Sequence, residues 1–204
     1  MPGIMKSTKN RGRGVRYVVL GNSVAGIAAV QEIRRHDPEG QIAIISDEKA
    51  FGYSRAMLPL YIAGKTSKKD TVFAPGAFYA SQHLRLLRGE TAEVVDARAQ
   101  QVHLRSGKRL PYDRLLVATG SSSRTLDVPG KELPGIFPLR KMTDAEAIKS
   151  SLRSCRGPVV IVGGGLVGVK SLEALAMMSR CPLVIGSNVP GYRALVLTRF
   201  LPRR

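Results

Sequence analysis

An α/β fold built on parallel sheets is predicted for this 204-residue chain, and three features predict it. Two short apolar, β-rich runs end in glycine clusters, Gly21-Asn22-Ser23-Val24-Ala25-Gly26 and Gly163-Gly164-Gly165-Leu166-Val167-Gly168. Each cluster leads into a segment with apolar residues at helical spacing, which is the strand-turn-helix opening of a βαβ unit. Between them a third apolar run, Leu115-Leu116-Val117-Ala118, closes on Thr119-Gly120.

Taken in order, Tyr17–Leu20 reads as a strand and Val24–Arg35 as the helix that follows it. Asp37-Pro38-Glu39-Gly40 breaks that helix, and Gln41–Ser46 is a second buried strand that completes the βαβ unit. A short helix is expected over Leu58–Ala63, and a helix leading to a strand over Phe78–Leu87. Three β-prone pieces follow, Thr91–Val95, Gln101–Leu104 and Arg109–Leu110, with Ser106-Gly107 turning between the last two. Leu115–Ala118 is another buried strand. Pro129-Gly130, Pro134-Gly135 and Pro138 punctuate a linker from Ser121 to Pro138. Thr143 is expected to cap a helix running to about Arg153, with Glu146 three residues on. Val159–Val162, a helix over Leu166–Met178 and a strand at Leu183–Ile185 make the second unit.

Composition narrows the function classes. A hydrophobic fraction of 44% with 23% charged residues is that of a globular chain. No apolar run approaches the ~20 residues that span a bilayer, so no membrane segment is expected. The basic stretch Met1–Arg16 lacks the apolar centre of a secretory signal, which makes the cytoplasm the expected location. Cys155 and Cys181 form neither a disulfide framework nor a Cys-x-x-Cys pair and read as small apolar residues. The net charge of +17 favours polyanionic ligands or acidic partners. Its basic residues are spread along the whole chain without interleaved aromatics, so nucleic-acid binding is not expected as the main role. His36, His83 and His103 stand apart from other ligand-type residues, and no metal site or catalytic residue is assigned.

The glycine clusters carry the chemistry. In a Rossmann-like dinucleotide fold the first glycine permits a tight turn, the second lets backbone approach a pyrophosphate, and the third lets helix and strand pack closely. Gly163, Gly165 and Gly168 meet all three requirements. Gly21 and Gly26 meet the first and third, but Ser23 stands at the middle position, where its Cβ must be accommodated or its hydroxyl donates to phosphate. The N–H groups around Val24 and Ala25, and around Leu166 and Val167, would face the anion at the helix start. Asp47 or Glu48, at the end of the second strand, is placed to accept hydrogen bonds from a ribose. Ala118-Thr119-Gly120 ends a strand in small residues that backbone or ligand can approach.

Together with Ile45-Ser46-Asp47-Glu48, Tyr53-Ser54-Arg55, Leu58-Pro59 and Tyr112-Asp113-Arg114, these motifs resemble the two-dinucleotide flavoproteins of the pyridine nucleotide-disulphide oxidoreductase superfamily. The likeness is to the branch of the nitrite reductase large subunit, rubredoxin reductase and NADH-dependent flavin reductases, and it covers residues 15 to 178. The resemblance implies that Gly21–Gly26 hold the FAD pyrophosphate and that Asp47 or Glu48 holds the adenosine ribose. It places Ser54 and Arg55 on the flavin side, Ala118, Thr119 and Gly120 at a second FAD contact, and Arg124 nearby. The second glycine cluster would hold NAD(P)H, so that hydride passes to the flavin. No acidic residue ends the Leu183–Ile185 strand, and Arg180 and Arg193 are near it, which leaves NAD and NADP both open.

Disulfide reductases of the superfamily carry cysteine in the FAD-proximal helix, whereas Phe51–Lys65 contains none. The implied activity is therefore an FAD-dependent NAD(P)H oxidoreductase without a redox-active disulfide, passing electrons to a protein or small acceptor. The expected division is a basic flexible tail over 1–14, the N-terminal part of an FAD-binding domain with a small β-meander over 15–125, and a linker with a partial NAD(P)-binding domain over 126–204. The family pattern fades after Met178, and the chain reads as C-terminally shortened. The alternative is accordingly a catalytically inactive dinucleotide-binding fragment, or a subunit that needs a second chain or a homo-oligomer.

Overall fold

The computed structural model describes residues 14–123, 127–178 and 183–186. Residues 1–13 of the expected tail, Arg124, Arg180, Cys181, Arg193 and the segment Gly191–Arg204 lie outside the described residues. In chain order the strands and helices are β1 (Arg16–Leu20), α1 (Val24–His36), β2 (Gln41–Ser46), β3 (Gly52–Tyr53), α2 (Leu58–Ile62), β4 (Val72–Ala74), α3 (Gly76–Ser81) and β5 (Leu84–Arg88). They continue with β6 (Ala92–Asp96), β7 (Gln101–Leu104), β8 (Arg109–Pro111), β9 (Arg114–Val117), α4 (Met142–Ser154), β10 (Val159–Val162), α5 (Leu166–Met178) and β11 (Leu183–Gly186). No helix among the described residues is long and apolar enough to cross a membrane.

The chain divides into two compact units, one holding residues up to Gly52 and Ala74–Gly120, the other Tyr53–Phe73 and the residues from Ser121 on. In the first unit four parallel strands lie in the order β5-β2-β1-β9. Strand side chains alternate between faces, so a sheet covered on both sides reads as a continuous apolar run. Tyr17-Val18-Val19-Leu20 does this. Val19, Ile42 and Ile44 pack with Ile27 and Val30 of α1, together with Ala74 and Tyr79. Val18, Leu20 and Ile45 pack on the other face with Val102, Leu104, Leu110 and Tyr112. That second layer is the antiparallel meander β6-β7-β8, with the expected turn at Gly107, whose φ is +83°.

Two polar devices hold this unit in register. Arg16 at the start of β1 donates from Nε and Nη2 to the two carboxylate oxygens of Asp113 at 3.0 and 2.7 Å, and its backbone N–H adds a third bond. A bidentate guanidinium-carboxylate pair fixes direction as well as distance, here beside the first residue of β9. Arg34 reaches from the last turn of α1 to the carbonyls of Pro38, Gly40 and Gln82, which accept at 3.2, 2.6 and 2.9 Å. It thereby joins the helix break at 37–40 to the entry of β5.

In the second unit β10 and β11 pair in parallel, as the second βαβ opening requires. The start of α4 differs from expectation. The helix begins at Met142, with Lys141 as its N-cap in place of Thr143. Asp144 decides this, because its carboxylate accepts from the backbone N–H groups of Arg140 and Lys141 at 2.8 and 2.7 Å. Two early donors are thereby satisfied by one side chain at the third helical position. Glu146, expected to share in the cap, instead receives Lys68 Nζ at 2.6 Å.

Candidate functional site

The first glycine cluster crosses the carboxyl ends of three strands. Gly21 N–H donates to Ile45 O at the end of β2 at 2.9 Å, and Ala118 N–H just past β9 donates to Leu20 O at 2.8 Å. Gly21 has a φ of +118°, and a Cβ there would run into the carbonyl of Ala118. Both facts exclude an L side chain. Gly26 is helical and buried, and a Cβ on it would strike the carbonyl oxygen of Gly21. The two glycines thus press the first turn of α1 onto the loop, as the spacing predicted.

Ser23 is the N-cap of α1 in an extended conformation, and its side chain makes no capping bond among the described residues. The N–H groups of Val24, Ala25 and Gly26 precede the first intrahelical donor, Ile27 N–H, which bonds Ser23 O at 3.0 Å. Acidic residues are missing from the first turn, and Arg34, Arg35 and His36 occupy the last. The helix dipole is therefore complemented at its carboxyl end and left open to an anion at its amino end. Val24 is 65% exposed, so this end of the helix is reachable.

Asp47 and Glu48 directly follow β2, whose Ile45 is level with Leu20 of β1. Their carboxylates therefore belong to the same sheet edge as Gly21. Ser46 is buried, and its hydroxyl accepts from Glu48 N–H at 3.3 Å, which fixes the turn after β2. Thr119 and Gly120 are exposed at the end of β9, with Gly120 in the left-handed region at φ +71°. The first unit therefore gathers Gly21, Ser23, Val24, Ala25, Gly26, Asp47, Glu48, Ala118, Thr119 and Gly120 along one edge of one sheet.

Sequence reasoning missed three residues here. Tyr79, 4% exposed, accepts from Gly52 N–H at 3.0 Å and donates its own proton to Asn22 Oδ1 at 2.6 Å. Asn22 Nδ2 is buried and has no partner among the described residues. An asparagine between the first glycine and Ser23 is visible in the sequence, but Tyr79 is 57 positions away and only the fold brings it there.

In the second unit Gly163 has a φ of +116°, and a Cβ on Gly168 would strike its carbonyl oxygen. This repeats the relation of Gly26 to Gly21. Space around Gly163 and Gly165 is open, with nothing within 4 Å of an added Cβ. Leu166 and Val167 at the start of α5 are 78% and 57% exposed. Ser54 and Arg55 also belong to this unit. Arg55 donates to Arg140 O at 2.6 Å and to Tyr53 Oη at 3.1 Å, and Tyr53 Oη accepts in addition from Met142 N–H at 2.9 Å.

The comparisons with known proteins agree with this construction. The biphenyl dioxygenase system ferredoxin-NAD(+) reductase component of Paraburkholderia xenovorans (strain LB400) is 33% identical over 150 residues, 74% of this chain and 36% of that protein. Rhodocoxin reductase of Rhodococcus erythropolis is 32% identical over 158 residues, 77% of this chain and 37% of that protein. The chain thus spans little more than a third of the length of these curated relatives. Among solved structures, NADH:rubredoxin oxidoreductase from Clostridium acetobutylicum matches with a TM-score of 0.76 at 28% identity, over 86% of this chain and 45% of that one. Putidaredoxin reductase in its covalent complex with putidaredoxin matches with a TM-score of 0.74 at 30% identity, over 83% and 42%. The family model described as pyridine nucleotide-disulphide oxidoreductase matches residues 15–195. With two glycine loops of the same build and that match across most of its length, the chain belongs to the pyridine nucleotide-disulphide oxidoreductase family.

Proposed function

We propose that this chain binds FAD and NAD(P)H as part of an oxidoreductase that delivers electrons to a protein acceptor. One observation carries the reading. The Gly21–Gly26 loop closes on Ala118 at the carboxyl edge of a parallel sheet, with the N–H groups of the first turn of α1 beside it, ahead of the first intrahelical donor. That arrangement fits a dinucleotide pyrophosphate, because backbone donors and the dipole converge where negative charge would lie.

In this reading Val24, Ala25 and Gly26 donate to the pyrophosphate, and Ser23 presents its hydroxyl to the same group. Asp47 or Glu48 accepts from the adenosine ribose, and Ala118, Thr119 and Gly120 give the cofactor a small-residue wall. Ser54, Arg55 and Arg124 serve the flavin side, and Gly163, Gly165, Leu166, Val167 and Gly168 receive the nicotinamide dinucleotide. The bound cofactors supply the hydride and electron chemistry. Phe51–Lys65 holds no cysteine, so this chain offers no dithiol relay in that stretch. Relatives named as ferredoxin, rubredoxin and rhodocoxin reductases support a small electron-carrier protein as acceptor. The charge of +17 would speed encounter with an acidic one.

A second reading, that the chain works only beside another polypeptide or a second copy, is favoured by β10. Val160 and Val162 on one face of that parallel strand are 60% and 59% exposed. Parallel strands are ordinarily covered on both faces.

The test is an absorption spectrum of the purified chain after FAD loading and removal of excess, followed by anaerobic NADH or NADPH. Bound flavin that bleaches supports the oxidoreductase. Bound flavin that stays oxidised supports the second reading, and a folded chain that retains no flavin refutes the FAD assignment.

A further inference from the structure

The four-stranded sheet of the first unit has two open edges among the described residues, β5 and β9, and the sequence treats them differently. β5 exposes Arg85 and Arg88, charged residues of the kind that keep an edge from pairing. β9 exposes Leu116 and Val117, by 37% and 61%. Its register with β1 sets the face of each. Leu116 is level with Val19, which packs under α1, and Val117 is level with Leu20, which packs on the meander. An apolar residue on either face is the pattern of a strand inside a parallel sheet, not of one at its border. The backbone points the same way. Ala118 N–H donates to Leu20 O at 2.8 Å, and successive amides of a strand point to opposite edges, so Val117 N–H is directed away from β1. Beside this edge a groove of about 480 Å3 runs between β9 and α1, lined by Val19 and Leu116 of the sheet and by Ala29 and Ile33 of the helix.

We infer that β9 receives a fifth strand from a separate acidic polypeptide, whose apolar side chains fill the groove over Leu116 on one face and cover Val117 on the other. The inference rests on the reading that the chain works beside another polypeptide, and gives that polypeptide a place and a form. Main-chain bonds to the open edge would supply affinity, and the groove would select the side chains. Charge decides between occupants. Arg35 holds the Glu32 carboxylate of the groove at 3.1 Å, Arg114 lies alongside, and the whole chain carries +17. A second copy would bring the same +17 and be repelled, whereas an acidic segment is attracted.

The probe is a fluorescein-labelled peptide with a central run of valine and isoleucine flanked by glutamates, titrated against the full chain by fluorescence anisotropy. It should bind saturably, and a lysine-flanked peptide about tenfold more weakly at low salt. N-methylation of alternate amides keeps the side chains but removes the edge donors, and should weaken binding about tenfold or more. Val117→Pro removes the outward N–H and leaves the bond from Ala118 to Leu20, so it should weaken the parent peptide about tenfold. Amide exchange at Val117 should slow when the peptide is added, while that at Ala118 should not change. If Val117→Pro does not fold by circular dichroism, the N-methylated peptide decides alone. Equal binding by the N-methylated or the lysine-flanked peptide overturns the inference. So does a dimer by light scattering that excludes the peptide, because the edge then belongs to a second copy. A glutamate-flanked peptide that fails to bind a chain whose flavin stays oxidised with NADH overturns this inference and leaves the reading beneath it standing. A chain that alone reduces its bound flavin overturns that reading.

Discussion

Gly26→Ala puts the packing argument at its sharpest, because two local effects oppose each other. Gly26 is helical, so alanine would gain about 1 kcal/mol in helix propensity. Against that, the added Cβ would strike the carbonyl oxygen of Gly21 and lie 3.2 Å from its carbonyl carbon. Both are backbone atoms that no rotamer change can move. Gly21 is itself held by its bond to Ile45 O and crowded by Ala118, so the loop cannot retreat. The helix must shift instead, and Ile27 and Val30 are buried against Val19, Ile42 and Ile44. Overpacking of this kind costs about 1–3 kcal/mol, and a clash with fixed backbone belongs at the upper end. The net expectation is a loss of about 2 kcal/mol, roughly 30-fold in the folding equilibrium. Urea unfolding of Gly26→Ala measures it, with Gly157→Ala as control, where an added Cβ meets nothing within 4 Å. The control should lie within about 1 kcal/mol of wild type, on the stabilising side. A Gly26→Ala protein as stable as wild type would refute the claim that close approach, and not chance, keeps glycine there.

Three further outcomes follow from the same geometry. Val24→Glu places a carboxylate in the exposed first turn of α1, so the apoprotein should gain about 0.3–1 kcal/mol while FAD affinity falls; melting and flavin titration must move in opposite directions. Asp113→Asn removes the charged partner of Arg16 and should cost about 1 kcal/mol, a figure kept small because Asp113 is 37% exposed; urea unfolding checks it. Burial, aided by donation to Asp37 at 3.0 Å, raises the Tyr17 phenol above its ordinary value. Its contribution is therefore complete below the unfolded value and is lost as pH climbs through the folded one. Melting temperature should accordingly fall less steeply above about pH 10 in Tyr17→Phe than in wild type.

What the sequence determined by itself is local in origin. The strands around Val19 and Ile44 announce themselves because parallel strands buried on both faces are continuous apolar runs, and Val159–Val162 carries the same apolar run although Val160 and Val162 are exposed. Gly21, Gly26, Gly163 and Gly168 were readable for a related reason, since a left-handed φ or a missing Cβ is a property of one residue and its near neighbours. The helix start at Lys141 was not readable, because Thr143 has the residue type of a cap and only the folded backbone shows that Asp144 receives the N–H groups of Arg140 and Lys141. The grouping of Tyr53–Phe73 with residues beyond Ser121, and the path from Gly52 through Tyr79 to Asn22, belong to the tertiary structure alone. They join groups far apart in the chain, and the energy of such a hydrogen bond depends on a distance that no spacing in the sequence encodes.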